Sequence, residues 1–161
     1  MSRNNIQGKV EDENSMAIDN NVKLTVPALP EFVDLVRLTL FGLATKLKFS
    51  FEEIEDMKVA VSEACNNAVL HAYEGADGHI EVEFAWAEED ELRITVRDQG
   101  VNDSSPELTR KSTLHGKSIE EIQSGGLGLY LMQALMDHVE MNIENGTAVT
   151  LIKRRSAAER V

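Results

Sequence analysis

One cysteine, one tryptophan and three prolines are all that a chain of 161 residues carries of those types. The lone Cys65 excludes an internal disulfide and a cysteine-built metal cluster. Its place in the apolar arc of a helical stretch marks it as small core filling rather than a nucleophile. No stretch approaches the roughly 18 consecutive apolar residues of a membrane span. The opening residues Met-Ser-Arg-Asn-Asn-Ile-Gln lack the apolar segment of a signal peptide. Together these absences predict a cytoplasmic protein in a reducing setting, with no membrane partner. Basic charge is also short: 16 Lys and Arg stand against 28 Asp and Glu, a net charge of −12. A protein that neutralises phosphates along DNA or RNA shows a basic stripe, so direct nucleic-acid contact is not expected. The acidity suits a basic protein partner, or plain solubility.

What is present suffices for one core. With 42% hydrophobic residues and this length, a single domain is the natural reading. Residues 1–21 are polar, mixed in charge and aperiodic, and are expected to form a disordered tail. The domain is expected to span 22–153, and residues 154–161 to fray. Residues 22–26 alternate through Val22, Leu24 and Val26, a short strand stopped by Pro27 and Pro30. A helical period over 31–48 runs through Phe32, Leu35, Val36, Leu38, Leu43 and Leu47. Val33, Leu40 and Phe41 widen it beyond one stripe, so the helix is either wrapped on several sides or turned towards a partner.

Ser50 and Glu53 have capping-box spacing and open a second helix that continues to about residue 73. Alternation over 79–87 and 92–96, across an acidic turn, predicts an antiparallel hairpin. That hairpin ends on Asp98-Gln99-Gly100. Residues 101–124 have no sustained apolar period, and a loop of that length in a compact domain is a lid, a binding loop or disorder. A helix through Leu131, Leu135 and Met136 follows. A second hairpin then turns at Asn145-Gly146, read as a favoured two-residue turn. Antiparallel strands with helices gathered on one face make a two-layer α/β sandwich of the α+β class.

Three features bear on chemistry. In the second helix Glu63, Asn67 and His71 lie four apart, so each sits about 40° further round. Such a row is either a solvated face or a site; the poor helix pair Asn66-Asn67 and the missing lysines favour the site. Asp98, at a strand end before Gly100, is either a strand-terminating turn or an acceptor for an exocyclic amine, with the glycine admitting a flat ring. The run Gly125-Gly126-Leu127-Gly128 joins the long loop to a helix N-terminus, where backbone N–H groups and the helix dipole favour an anion. It is either a phosphate cradle or a hinge. No Gly-Lys-Ser/Thr follows, so it is not a Walker loop.

The order of these parts is more specific than any of them alone: Glu-xxx-Asn on a helix, Asp-x-Gly ending a hairpin, a long loop, Gly-Gly-x-Gly opening a helix, then Gly146-Thr147. It resembles the Bergerat, histidine-kinase-like ATP-binding fold of MutL, DNA gyrase and sensor histidine kinases. Within that superfamily the chain resembles the anti-sigma factors of the RsbW type, which are serine-protein kinases. The text Ile54-Glu55-Asp56-Met57-Lys58-Val59-Ala60-Val61-Ser62-Glu63-Ala64-Cys65, then Asn67-Ala68-Val69 and His71-Ala72-Tyr73, carries the likeness, as does Gly125-Gly126-Leu127-Gly128-Leu129-Tyr130-Leu131-Met132. It covers residues 22–153.

The resemblance implies a mixed, mostly antiparallel sheet with helices on one face and an ATP lid. It implies ATP and Mg²⁺ as cofactors. Asn67 would be the Mg²⁺ ligand and Glu63 the base that takes a proton from a substrate serine. Asp98 would read adenine, helped by Thr147 through water and flanked by Gly100. Gly125, Gly126, Leu127 and Gly128 would lie against the phosphates, with His71 in a lesser, orienting role. Arg37 matches an arginine that relatives present to sigma factor and to the anti-anti-sigma factor. The implied partners are an alternative, sigma-B-like sigma factor, an anti-anti-sigma factor phosphorylated on a serine, and a second copy of the chain. Asn102 stands where many relatives have a second glycine, a departure that leans towards the stress-response branch. A switch kinase without sigma binding and a non-catalytic ATP-dependent binding module remain as alternatives.

Overall fold

The computed structural model describes residues 20–72, 78–88, 90–99 and 126–157, with the backbone alone at 71 and 72. Five strands and three α-helices occupy them: β1 (Asn21–Pro27), a 3-10 turn (Pro30–Phe32), α1 (Val33–Lys46), α2 (Phe51–Asn67), a π turn (Ala68–Ala72), β2 (His79–Ala85), β3 (Glu91–Asp98), α3 (Leu127–Leu135), β4 (His138–Ile143) and β5 (Thr147–Arg154). The sheet order is β1-β2-β3-β5-β4. Every neighbouring pair is antiparallel, so the expected mixed sheet is purely antiparallel among the described strands.

Alternation along each strand builds the two layers. The register lines up Val22, Phe84, Ile94, Leu151 and Val139 as one row across all five strands. Leu24, Val82, Val96, Val149 and Met141 form the next. With a period of two, these side chains share one face. Onto that face pack Val36, Leu40 and Ala44 of α1 and Met57, Ala60, Val61, Ala64 and Cys65 of α2, all buried. The small residues of α2 allow the close approach to the sheet that their spacing predicts. Cutting a fully buried side chain such as Phe84 back to alanine costs about 3–5 kcal/mol in a core of this kind. The opposite face is polar: Arg97 reaches Glu81 at 3.3 Å and Glu83 at 3.4 Å, and the Thr95 and Thr150 hydroxyls meet at 3.3 Å.

Several boundaries move. The helix expected over 31–48 is a 3-10 turn and then an α-helix ending at Lys46; Pro30 sits in the first turn, and Lys48 takes a left-handed φ of 65° beyond the end. The capping box forms: Glu53 N–H donates to Ser50 Oγ at 3.1 Å, and Ser50 N–H donates to Glu53 Oε1 at 2.8 Å. The α-helical part of the second helix stops at Asn67 and widens into the π turn, so Asn66-Asn67 falls where regular α-geometry ends. The last hairpin turns through three residues, not two: Ile143 pairs with Thr147, which leaves Glu144, Asn145 and Gly146 in the loop.

At the C-terminus Arg154 belongs to β5, in contrast to the expected fraying. Beyond it, Arg155 Nη1 donates to Leu47 O at 3.0 Å and Ser156 N–H donates to Glu53 Oε2 at 2.8 Å. The expected tail over 1–21 lies outside the described residues except for 20 and 21, and Asn21 starts β1. No described helix is long and apolar enough to cross a membrane.

Cys65 is buried as core filling. Burial pushes its thiol from 9.0 up to about 12, an effect that the nearby Arg37 charge partly opposes. The raised folded-state value means that this thiol's contribution to stability is intact below pH 9.0 and is lost as pH rises towards about 12. A thiol-specific chromogenic reagent at pH 8 is therefore expected to leave Cys65 unmodified in the native protein and to titrate one thiol after denaturation. Rapid native labelling would contradict this placement.

Candidate functional site

Two places carry the candidate residues: the end of the sheet at Asp98 and Thr147, and the contact between α2 and α3. Alternation that places Val96 and Val149 on the helix-covered face places Asp98 and Thr147 there as well. Asp98 is thus a carboxylate on an otherwise apolar face, paired across the sheet with Ile80, and it is half-buried. Its Oδ1 accepts a hydrogen bond from the Thr147 backbone N–H at 3.2 Å. Gly146, with φ +111°, permits this approach: a β-carbon there would collide with the Asp98 carbonyl oxygen and lie 2.9 Å from the carbonyl carbon of Gln99. The role of Thr147 visible here is therefore a direct backbone one. Gly146, which the sequence marks only as the residue before Thr147, has a packing role here that the motif order does not show.

At the other wall, Glu63 and Asn67 project from the last turns of α2 towards the start of α3. A β-carbon on Gly128 would stand 2.8 Å from Glu63 Oε2, 3.5 Å from Asn67 Nδ2 and 3.8 Å from Asn67 Oδ1. Gly128 and Gly126 are buried, whereas Leu127 is exposed. Leu127 therefore offers the site its backbone and not its side chain. Gly126 is the N-cap of α3 and supplies no side-chain cap, so the first-turn N–H groups lack the partner that a serine or aspartate would provide. A helix N-terminus of this kind, beside an amide and a carboxylate, is suited to phosphate oxygens.

Glu63 and Asn67 lie one turn apart in α2, and the backbone at position 71 belongs to the π turn. The His71 side chain, Gly100, Gly125 and Asn102 lie outside the described residues. Arg37 of α1 is tied to the same helix: its Nη1 donates to Ser62 Oγ at 3.0 Å, it pairs with Asp34, and Ser62 Oγ donates to Lys58 O at 2.6 Å. Its side chain keeps 36% of its exposure. Ser62, adjacent to Glu63, is a link that sequence alone did not reveal.

Among the described residues no group of three or more His, Cys, Asp or Glu forms a metal cluster. Mg²⁺ bound with nucleotide needs none, because phosphates and water supply most of its octahedral shell. One amide oxygen, that of Asn67, fits such a site.

Comparison with known proteins gives the family and the fold. Residues 26–153 match the family described as histidine kinase-like ATPase domain. The chain is 44% identical over 138 residues to the serine-protein kinase RsbW of Bacillus licheniformis, covering 82% of this chain and 84% of that protein. It is 40% identical over 137 residues to the serine-protein kinase RsbW of Bacillus subtilis, with the same coverage. The crystal structure of the RsbU and RsbW domains of a Mycobacterium tuberculosis protein superposes with a TM-score of 0.61 at 24% identity, over 84% of this chain and 32% of that one. That likeness establishes the two-layer fold.

Gly128→Ala tests the close approach. The obstructing atom is the end of a flexible side chain, so the fold is expected to survive with native far-UV circular dichroism. The Glu63 carboxylate must swing away, and ATP affinity is expected to fall about tenfold or more, or about 1.4 kcal/mol. Unchanged affinity by calorimetry would show that α3 and α2 do not form a shared wall for the ligand.

Proposed function

The chain belongs to the histidine kinase-like ATPase family, with RsbW serine-protein kinases as its relatives, and on that basis we propose that it is an anti-sigma factor and serine-protein kinase. It would use Mg-ATP to phosphorylate a serine on an anti-anti-sigma factor, and it would sequester an alternative, sigma-B-like sigma factor. The observation that carries this reading is the convergence of Glu63 and Asn67 on Gly128 at the α3 N-terminus.

In this reading ATP lies between α2, the start of α3 and the Asp98–Thr147 corner. Asp98 accepts a hydrogen bond from the exocyclic amine of adenine. The Thr147 N–H holds the carboxylate in place while its second oxygen faces the base. The backbone N–H groups at Gly126 and Gly128 meet phosphate oxygens, and absence of side chains there lets the phosphates come close. Asn67 holds Mg²⁺, which when bound offsets negative charge on the β- and γ-phosphates. Glu63 would orient the substrate serine hydroxyl and accept its proton at the carboxylate as the serine oxygen bonds to the γ-phosphorus and the bond from that phosphorus to the β,γ-bridging oxygen breaks, with ADP as the leaving group. One turn of helix between Glu63 and Asn67 keeps base and metal ligand on the same wall.

Partner binding is assigned to α1. Leu35, Leu38 and Phe41 are exposed along its outer side, Leu38 at 69%, and Arg37 lies between them and α2. This combination supports an apolar contact carrying one fixed positive charge, for the sigma factor, the antagonist or a second copy in a homodimer. Sequestration would end when the unphosphorylated antagonist takes the sigma factor's place, and phosphorylation would release the antagonist again. All of this suits a cytoplasmic regulator.

Two measurements test the assignments. Glu63→Gln keeps the shape of the side chain but removes the base. Transfer of radiolabelled phosphate from ATP to the antagonist's serine is expected to fall by about 10²–10⁴-fold, with ATP affinity within about threefold, or about 0.65 kcal/mol. If transfer continues at the wild-type rate, Glu63 is not the base. Arg37→Glu is expected to abolish co-purification of the sigma factor while leaving ATP binding intact. Retained sigma factor would move the contact elsewhere.

A further inference from the structure

The Asn145-Gly146 turn holds the Asp98–Thr147 corner together, and we infer that it is also a deamidation site whose conversion to isoaspartate weakens nucleotide binding. The chain has one Asn-Gly pair. Asn145 is exposed and sits at a left-handed φ of 52° in the three-residue loop between β4 and β5. Its neighbour has no β-carbon to shield the backbone nitrogen.

The chemistry requires only water. The Gly146 backbone nitrogen gives up its proton to solvent and attacks Asn145 Cγ. The new N–Cγ bond closes a five-membered succinimide, and the Cγ–Nδ2 bond breaks as ammonia leaves with a proton from solvent. Water then opens the ring at either carbonyl. One opening gives aspartate with the original backbone; the other gives isoaspartate, in which the main chain runs through the former side chain.

The two products have different consequences at the corner. Aspartate adds a charge but preserves the turn, since Asp tolerates the left-handed region and Asp-Gly is a favoured turn pair. Isoaspartate lengthens the main chain by one methylene, about 1.5 Å. The displacement falls on Gly146, whose α-carbon is packed against the carbonyls of Asp98 and Gln99. The next donor in the chain is Thr147 N–H, already 3.2 Å from Asp98 Oδ1, so a shift of this size breaks the bond. Asp98 loses the Thr147 hydrogen bond that helps to orient its carboxylate on the helix-covered face. Reduced nucleotide affinity follows from the proposed role of Asp98, on which this part of the inference rests.

The test incubates the full-length protein at pH 8.5 and 37 °C for days and follows two quantities. Peptide mapping is expected to show Asn145 gaining the mass that replaces NH₂ by OH, largely as isoaspartate. Calorimetry with ADP is expected to show affinity falling about tenfold in the isoaspartate fraction, or about 1.4 kcal/mol, and recovering after treatment with an isoaspartyl methyltransferase. Asn145→Asp is expected to bind ADP like the fresh protein. Asn145→Gly, which keeps a favourable residue at positive φ and removes the amide, is expected to age without loss. If the native turn shows no conversion while the unfolded chain converts, the fold shields the bond and the modification site is refuted. If conversion occurs with affinity unchanged, the coupling to Asp98 is refuted. If fresh protein fails to bind ADP at all, the nucleotide-site reading itself fails, and the mass measurement still decides whether Asn145 is modified.

Discussion

The candidate site depends on how closely α3 approaches the polar side chains of α2, and Gly128 sets that distance by lacking a side chain. Gly128 leaves the gap into which the Glu63 carboxylate and the Asn67 amide project. Any larger residue forces either the carboxylate to rotate or the helices to separate. Separation is resisted at the far end of α3: Lys153 Nζ donates to Leu135 O at 2.6 Å and lies 3.5 Å from Asp56 of α2. A cation at a helix C-terminus satisfies orphan carbonyls and complements the dipole. With α3 fixed at its C-terminal end to both β5 and α2, its N-terminus is directed at Glu63. Buried Met132, in the middle of α3, completes the contact with the core.

A second close approach of the same kind operates at the sheet. Gly146 admits the backbone of Asp98 and Gln99, and Thr147 N–H then reaches the Asp98 carboxylate. Both walls of the site are thus built from a glycine in contact with an acid contributed by a distant element. The acids themselves are placed by regular structure, Glu63 by helical spacing and Asp98 by strand alternation. Mobile-looking sequence, rich in glycine, does a rigid job at both positions because the neighbouring atoms occupy the space a β-carbon would take.

Much of this was legible from periodicity. The alternation of Ile80, Val82 and Phe84 with polar residues, and of Leu92, Ile94 and Val96, directly encodes the two faces of the sheet. The Ser50–Glu53 box marked the start of α2 to the residue. Legibility failed where local pattern yields to long-range contact. The start of the π turn at Ala68 has no periodic signature beyond the weak pair Asn66-Asn67, so a helix expected to about residue 73 ends its α-helical part at Asn67. Two-residue and three-residue turns around Asn-Gly look alike in sequence, and the pairing of Ile143 with Thr147 decides between them. The anchoring of Arg155 and Ser156 against the α1–α2 corner joins residues about a hundred apart, beyond any local pattern.

Arg37 shows how the two faces of α2 connect. One side of that helix presents Glu63 and Asn67 to α3, while Ser62, the neighbour of Glu63, accepts the Arg37 guanidinium from α1. The same guanidinium pairs with Asp34, whose side chain is 69% exposed. An exposed pair contributes little to stability, about 0–1 kcal/mol, so Asp34 is a weak competitor for any partner carboxylate that arrives on α1. The bond to Ser62 is different in kind, because Ser62 also donates to Lys58 O and is itself part of the helix that carries Glu63. An acid docking at Arg37 would therefore exchange the surface partner at little cost and leave the inner hydrogen bond in place. Such a partner would be held at a fixed position relative to Glu63, because Ser62 precedes it in the same helix.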